Sequence, residues 1–203
     1  MVRRASVWPA WDKALVFVLA LLPATGLLLA TLGDGLGANP AQALVRATGD
    51  WSLRALCLVL AVTPLRVWLQ QPLLARWRRM LGLFVFFYAS LHLLSYGWFD
   101  MGLVLDDIVR DISKRRFILV GFVAYLALLL LALTSCKLAV RSLGGQNWQR
   151  LHRLVYGVAV LALLHFFWMR AAKNDVREVA VYASIIGALL AWRVLRWWRR
   201  SAL

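Results

Sequence analysis

Residues 117–136 read FILVGFVAYLALLLLALTSC, twenty positions without a charge. A helix rises 1.5 Å per residue, so about 20 such residues cover the ~30 Å of hydrocarbon in a bilayer. Working outward, five further stretches have similar length and character, near 13–32, 52–70, 80–99, 150–169 and 177–197. The expected fold is an all-α integral membrane protein, a six-transmembrane-helix bundle forming one domain over 1–203. Composition agrees: 63% of the 203 residues are hydrophobic and only 16% are charged. A soluble domain is about half apolar and about a quarter charged. This chain has too little polar surface to cover a compact core. Two cysteines, Cys57 and Cys136, cannot form a stapled framework or a CxxC site. The apolar run after Val2-Arg3-Arg4 spans 14–33, longer than the ~7–15 residues of a signal peptide, and is expected to stay as the first helix.

The net charge of +15, from 24 basic and nine acidic residues, separates by side. Six spans put both termini together. With them fall Arg3, Arg4, Lys13, Arg66, Arg76, Arg78, Arg79, Lys137, Arg141, Arg150, Arg153, Arg193, Arg196, Arg199 and Arg200, against a single acid, Asp12. The opposite side carries the other nine bases and eight acids. That bias predicts cytoplasmic N- and C-termini. Short basic clusters between apolar runs also differ from a nucleic-acid footprint. Trp8, Trp11, Trp51, Trp68, Trp77, Trp98, Trp148, Trp168, Trp197 and Trp198 are expected at or beside helix ends, as interfacial anchors. Arg66, Arg193 and Arg196 are expected to snorkel outward. Pro23 and Pro64 fall inside spans, where neighbouring helices can satisfy the freed carbonyls.

The three histidines, His92, His152 and His165, all fall in the predicted third and fifth helices. An imidazole inside a span is costly and by default marks a functional site. His92 lies about 20 Å in from Arg79, and His165 about 24 Å in from Gln149, on parallel helices. Two imidazoles at one depth among Phe, Leu and Tyr suit a planar apolar macrocycle with two axial nitrogens, as in bis-His haem. Zinc would need further Cys, Asp or Glu donors, and a proton relay would need acids, which none of the spans is expected to supply. His152, level with Arg78, would serve a second haem or be a plain surface residue. Three histidines cannot furnish two bis-His sites. Arg78 is then a propionate partner or stands where a fourth ligand would be. Helix phase raises an objection: His152 and His165 lie about 140° apart on an ideal helix.

These residues resemble the ferric-reductase-type transmembrane domain, whose larger members pair histidines on the third and fifth helices. The chain is more specifically similar to the MsrQ/YedZ family, haem-binding membrane subunits of the bacterial protein-methionine-sulfoxide reductase system. The likeness rests on Gly37-Ala38-Asn39-Pro40, Thr48-Gly49-Asp50-Trp51, Thr63-Pro64-Leu65-Arg66, Arg78-Arg79-Met80-Leu81-Gly82-Leu83, Thr134-Ser135 and Leu143-Gly144. It is most specific at Trp148-Gln149-Arg150-Leu151-His152-Arg153-Leu154-Val155-Tyr156. Lys114-Arg115-Arg116-Phe117 departs from it, lacking a proline after the basic pair.

The resemblance implies haem b, one or two per chain, a bound FMN, and a place in the bacterial inner membrane. It also implies electrons from quinol or a cytoplasmic flavin reductase, delivered to a periplasmic molybdopterin methionine-sulfoxide reductase. By position, His92, His152 and His165 match the family's haem-associated histidines, and Arg78 the place of the fourth ligand. Two rival functions follow from the same residues. One is a transmembrane ferric or cupric metalloreductase, which usually carries its own flavin module. The other is a cofactor-free transporter or assembly factor, which would line a midplane cavity with polar groups.

Overall fold

The computed structural model describes residues 11–171 and 175–201, so Arg3, Arg4, Trp8 and Lys173 lie outside the described residues. Eight helices make up this part: α1 Trp11–Leu32, α2 Pro40–Trp68, α3 Arg78–Ser95, α4 Leu105–Lys114, α5 Arg116–Leu133, α6 Lys137–Leu151, α7 Leu154–Ala171 and α8 Arg177–Ser201. Six of these segments are long and apolar enough to cross a membrane: α1, α2, α3 with its flanks (Pro72–Asp100), α5, α7 and α8. α4 and α6 are the additions. α4 is amphipathic, with Leu105, Ile108, Val109 and Ile112 on one face, and it is tied down by Tyr96, whose hydroxyl donates to Asp111 Oδ2 at 2.6 Å.

Span boundaries differ from expectation most at α2. Asn39 caps it by accepting from the Gln42 N–H at 3.1 Å, and Pro40 occupies the first turn, where a missing N–H costs nothing. The helix therefore begins twelve residues ahead of the expected 52 and takes in Arg46, Asp50 and Trp51. Glu178 lies in the first turn of α8. Acids thus do fall within the spans, against the expectation of none. Trp51 is correspondingly no end anchor, lying 6.3 Å from the Tyr88 ring inside α2. Trp11, Trp68, Trp98, Trp197 and Trp198 are exposed at helix ends as anchors should be.

α2 packs chiefly on α3, and α5 on α7; α3 and α5 join the two pairs, α8 lies against α2 and α7, and α1 against α2 and α3. Leu56, Leu60, Val85, Val158, Ala159 and Ile186 form the buried centre. The outward faces of α1 and α5 remain apolar, with Leu29, Leu32 and Leu133 exposed, as lipid-facing surfaces are.

Both in-span prolines are answered by a neighbouring side chain. At Pro23 the buried Tyr88 hydroxyl donates to Ala20 O at 2.7 Å and accepts from the Ala24 N–H at 3.2 Å, bridging the ladder of α1. Pro64 has no N–H for Leu60 O, four residues back, and that carbonyl accepts from Arg193 Nη2 instead. Arg193 also donates to Leu189 O at 2.6 Å and lies over the Tyr156 ring at 5.4 Å. It is therefore turned inward, contrary to the expected snorkelling. Among the described residues the only buried acid is Asp12, held by Arg76 at 3.3 Å and by the Trp77 indole N–H at 3.2 Å. That pairing fixes the start of α1 to the turn ahead of α3.

Candidate functional site

α3 and α7 carry His92 and His165 toward one another, with ring centres 6.2 Å apart and planes inclined at 78°. Each ring is oriented from behind by a backbone carbonyl on the helix its own helix packs against. His92 Nδ1 lies 2.8 Å from Val45 O of α2, and His165 Nδ1 lies 2.7 Å from Phe117 O of α5. A carbonyl only accepts, so both Nδ1 atoms carry the proton and both Nε2 atoms keep a free lone pair. This is the outer-shell arrangement that orients metal-ligating imidazoles.

The two halves repeat one device. Gly49 stands four residues after Val45, and Gly121 four residues after Phe117. A Cβ on Gly49 would lie 3.1 Å from the His92 ring, and one on Gly121 would lie 2.7 Å from the His165 ring. Only a residue without a side chain lets the imidazole reach the carbonyl one turn back. Neither glycine was singled out as a site residue from the sequence. A glycine in an apolar run one turn after a position facing a histidine is the signal that would have found them.

The donor set discriminates between metal chemistries. Among the described residues no three His, Cys, Asp or Glu side chains gather as a metal-ion site. Two imidazoles alone do not complete a tetrahedral ion, whereas a porphyrin supplies four equatorial nitrogens and asks the protein for two axial ones. An atom bound at about 2 Å to each nitrogen, with about 1.1 Å more to each ring centre, needs rings about 6 Å apart. The observed separation of 6.2 Å meets that requirement. Phe117, 6.1 Å from the His165 ring, adds apolar lining.

His152 is placed differently. It caps the end of α6, and α7 starts only at Leu154, so it is not on the fifth spanning helix as expected. The turn between them removes the 140° phase objection, because His152 and His165 do not share a helix. The His152 ring stacks on Trp148 at 3.9 Å, its Nε2 lies 3.3 Å from Thr134 Oγ1, and the Trp148 indole donates to Thr134 O at 2.8 Å. Burial and the nearby Arg78 guanidinium hold this imidazole below the ordinary histidine pKa, which keeps it neutral at pH 7. Arg78 itself is exposed at the first position of α3. No second histidine faces His152, so the structure brings His92 and His165 together and keeps His152 with Arg78 apart from them.

A six-span helical bundle with paired imidazoles on its third and fifth crossings defines a class, and the comparison agrees: residues 48–163 match the ferric reductase like transmembrane component family. Within that class the chain belongs to the MsrQ family. It is 60% identical over 189 residues to the Protein-methionine-sulfoxide reductase heme-binding subunit MsrQ of Polaromonas naphthalenivorans, covering 93% of this chain and 86% of that protein. It is 48% identical to the protein of the same name from Bordetella pertussis, covering 93% and 91% of the two chains. The protein of that name from Herminiimonas arsenicoxydans is likewise 48% identical, covering 94% and 87%. No solved structure matches the chain.

Proposed function

We propose that this chain is a haem b electron-transfer subunit of the inner membrane, a single transmembrane domain with both termini cytoplasmic. Its partner is a periplasmic molybdopterin methionine-sulfoxide reductase that repairs oxidised proteins. The observation that carries the reading is the His92–His165 pair, 6.2 Å between ring centres with each Nδ1 fixed to a backbone carbonyl. In this reading His92 and His165 would hold one haem, which when bound would supply a one-electron carrier within the membrane. The Val45 and Phe117 carbonyls hold the two rings and make them better donors. Gly49 and Gly121 give those rings room, and the surrounding apolar side chains exclude water and help set the potential. His152, neutral at pH 7 and beside Arg78, belongs to the opposite end, where electrons enter from quinol or a cytoplasmic flavin reductase. It is the candidate residue that would hold a second haem there.

Lys/Arg asymmetry supports the orientation, and the names of the relatives support the partner. The test is the visible and EPR spectrum of purified His92→Ala and His165→Ala proteins. Each loses the low-spin bis-His signal; an unchanged spectrum in both variants overturns the ligand pair. Copurification with a periplasmic reductase distinguishes this reading from a metalloreductase that acts without a protein partner.

A further inference from the structure

The two halves of the bundle balance their charges differently. Near the His92–His165 end, Arg170 is nearly buried and carries an ion pair with Asp175 at 3.5 Å and another with Glu178. At the opposite end Arg193 sits within the apolar part of α8 with no such partner. Among the described residues no carboxylate pairs with Arg193 or with Arg78, and Asp12, the one acid expected on that half, is taken by Arg76 and Trp77.

Arg193 does not relieve this by reaching for water. Its Nη1 donates to Leu189 O, four residues toward the middle of the membrane, so the side chain extends away from the nearer end of α8. Leu60 O of α2 takes Nη2, the Tyr156 ring of α7 lies against the guanidinium, and the buried Nε has no hydrogen-bond partner. Bonding the carbonyl freed by Pro64 needs a donor but not a full charge; a neutral amide would serve. A guanidinium held in a low-dielectric span calls for a counter-anion.

We infer that Arg193 forms a cationic cradle at this end of the bundle that holds the oxyanion of a bound molecule, a carboxylate or a phosphate. Arginine suits this chemistry because its planar fork matches both groups. A haem propionate and a phospholipid headgroup are the two sources of such an oxyanion. The inference does not rest on haem ligation by His92 and His165. Colourless protein that still keeps an anionic lipid through Arg193 would sink that ligation and leave this cradle standing.

The experiment compares full-length wild type, Arg193→Gln and Arg193→Lys, purified identically from native membranes. Glutamine keeps a donor for Leu60 O and loses the charge; lysine keeps the charge. Haem per chain is measured by pyridine haemochrome, and retained phospholipid by native mass spectrometry. The glutamine variant is expected to lose at least half of one bound anion, with the lysine variant retaining it. A fall in haem with the His92–His165 low-spin signal intact identifies the propionate; a fall in anionic lipid at constant haem identifies the headgroup. Equal haem and equal lipid in all three proteins overturns the cradle. If Arg193→Gln does not accumulate, wild type decides: protein stripped of lipid and of any haem beyond the bis-His one, yet melting at an unchanged temperature, also overturns it.

Discussion

Gly121 of α5 lies directly behind the His165 imidazole, so close that a Cβ there would come within 2.7 Å of Nδ1 and 2.9 Å of Cε1. Gly49 bears the same relation to His92 at 3.1 Å. Contacts under 3 Å force something to move, and the ring, clamped to the Phe117 carbonyl, is the part that can. Gly121→Ala should therefore swing His165 off its bond and out of line with His92. Overpacking of this kind costs about 2 kcal/mol, about a 30-fold loss in haem affinity. Gly49→Ala, with a few tenths of an ångström more room, should lose less. Haem titration of the two variants checks the order; a Gly121→Ala protein that binds like wild type would show that the ring has another place to go.

Only some of this was legible beforehand. Lipid imposes a length of about 20 apolar residues, so the run at 117–136 and its five counterparts announced themselves. Two histidines at similar depth were visible for the same reason. Gly121 was not, because one glycine in an apolar run gains meaning only when the facing residue is known. Nor was the direction of Arg193, since sequence gives depth along a helix but not whether a neighbouring helix offers a carbonyl. Beginning the second span at 52 leaves Arg46 and Asp50 outside it, because charged residues look like the end of a membrane span. The cap at Asn39-Pro40 overrides them. The phase problem of His152 came from extending α7 through a turn that the structure places at 152–153.

His152 sits across the bundle from the imidazole pair, in a turn held by Trp148 and Thr134. His152→Ala should leave the low-spin signal of His92 and His165 unchanged, while lowering haem content toward one per chain or slowing reduction from the cytoplasmic side. EPR with a haem assay reads both. Loss of the bis-His signal in this variant would place His152 among its ligands and undo the assignment.

Asp12 should contribute to stability beyond a surface acid, because it is 3% exposed while Arg76 and the Trp77 indole converge on it. Arg76 is 31% exposed, so water tempers the pair. Asp12→Ala should cost about 1–2 kcal/mol and loosen the start of α1, seen as faster amide exchange there and at Trp77. Asp12→Asn, which still accepts the indole hydrogen bond, should cost less. Equal melting of all three proteins would reduce the contact to decoration.

The Tyr88 hydroxyl occupies the gap that Pro23 opens in α1, taking the Ala24 N–H and giving its own proton to Ala20 O. Tyr88→Phe leaves two backbone groups unsatisfied where lipid offers no substitute, and should cost about 1–3 kcal/mol. If the hydroxyl matters because of the proline, restoring an ordinary helix should make it dispensable. In Pro23→Ala the residue at 23 regains its N–H, the ladder can close on itself, and Tyr88→Phe should then cost less by at least about 0.5 kcal/mol, a coupling beyond the scatter of independent sites. Unfolding of the four proteins in mixed micelles supplies the cycle. Strict additivity would mean that α1 bends there for some other reason, and that Tyr88 merely fills space beside Trp51 and Phe84.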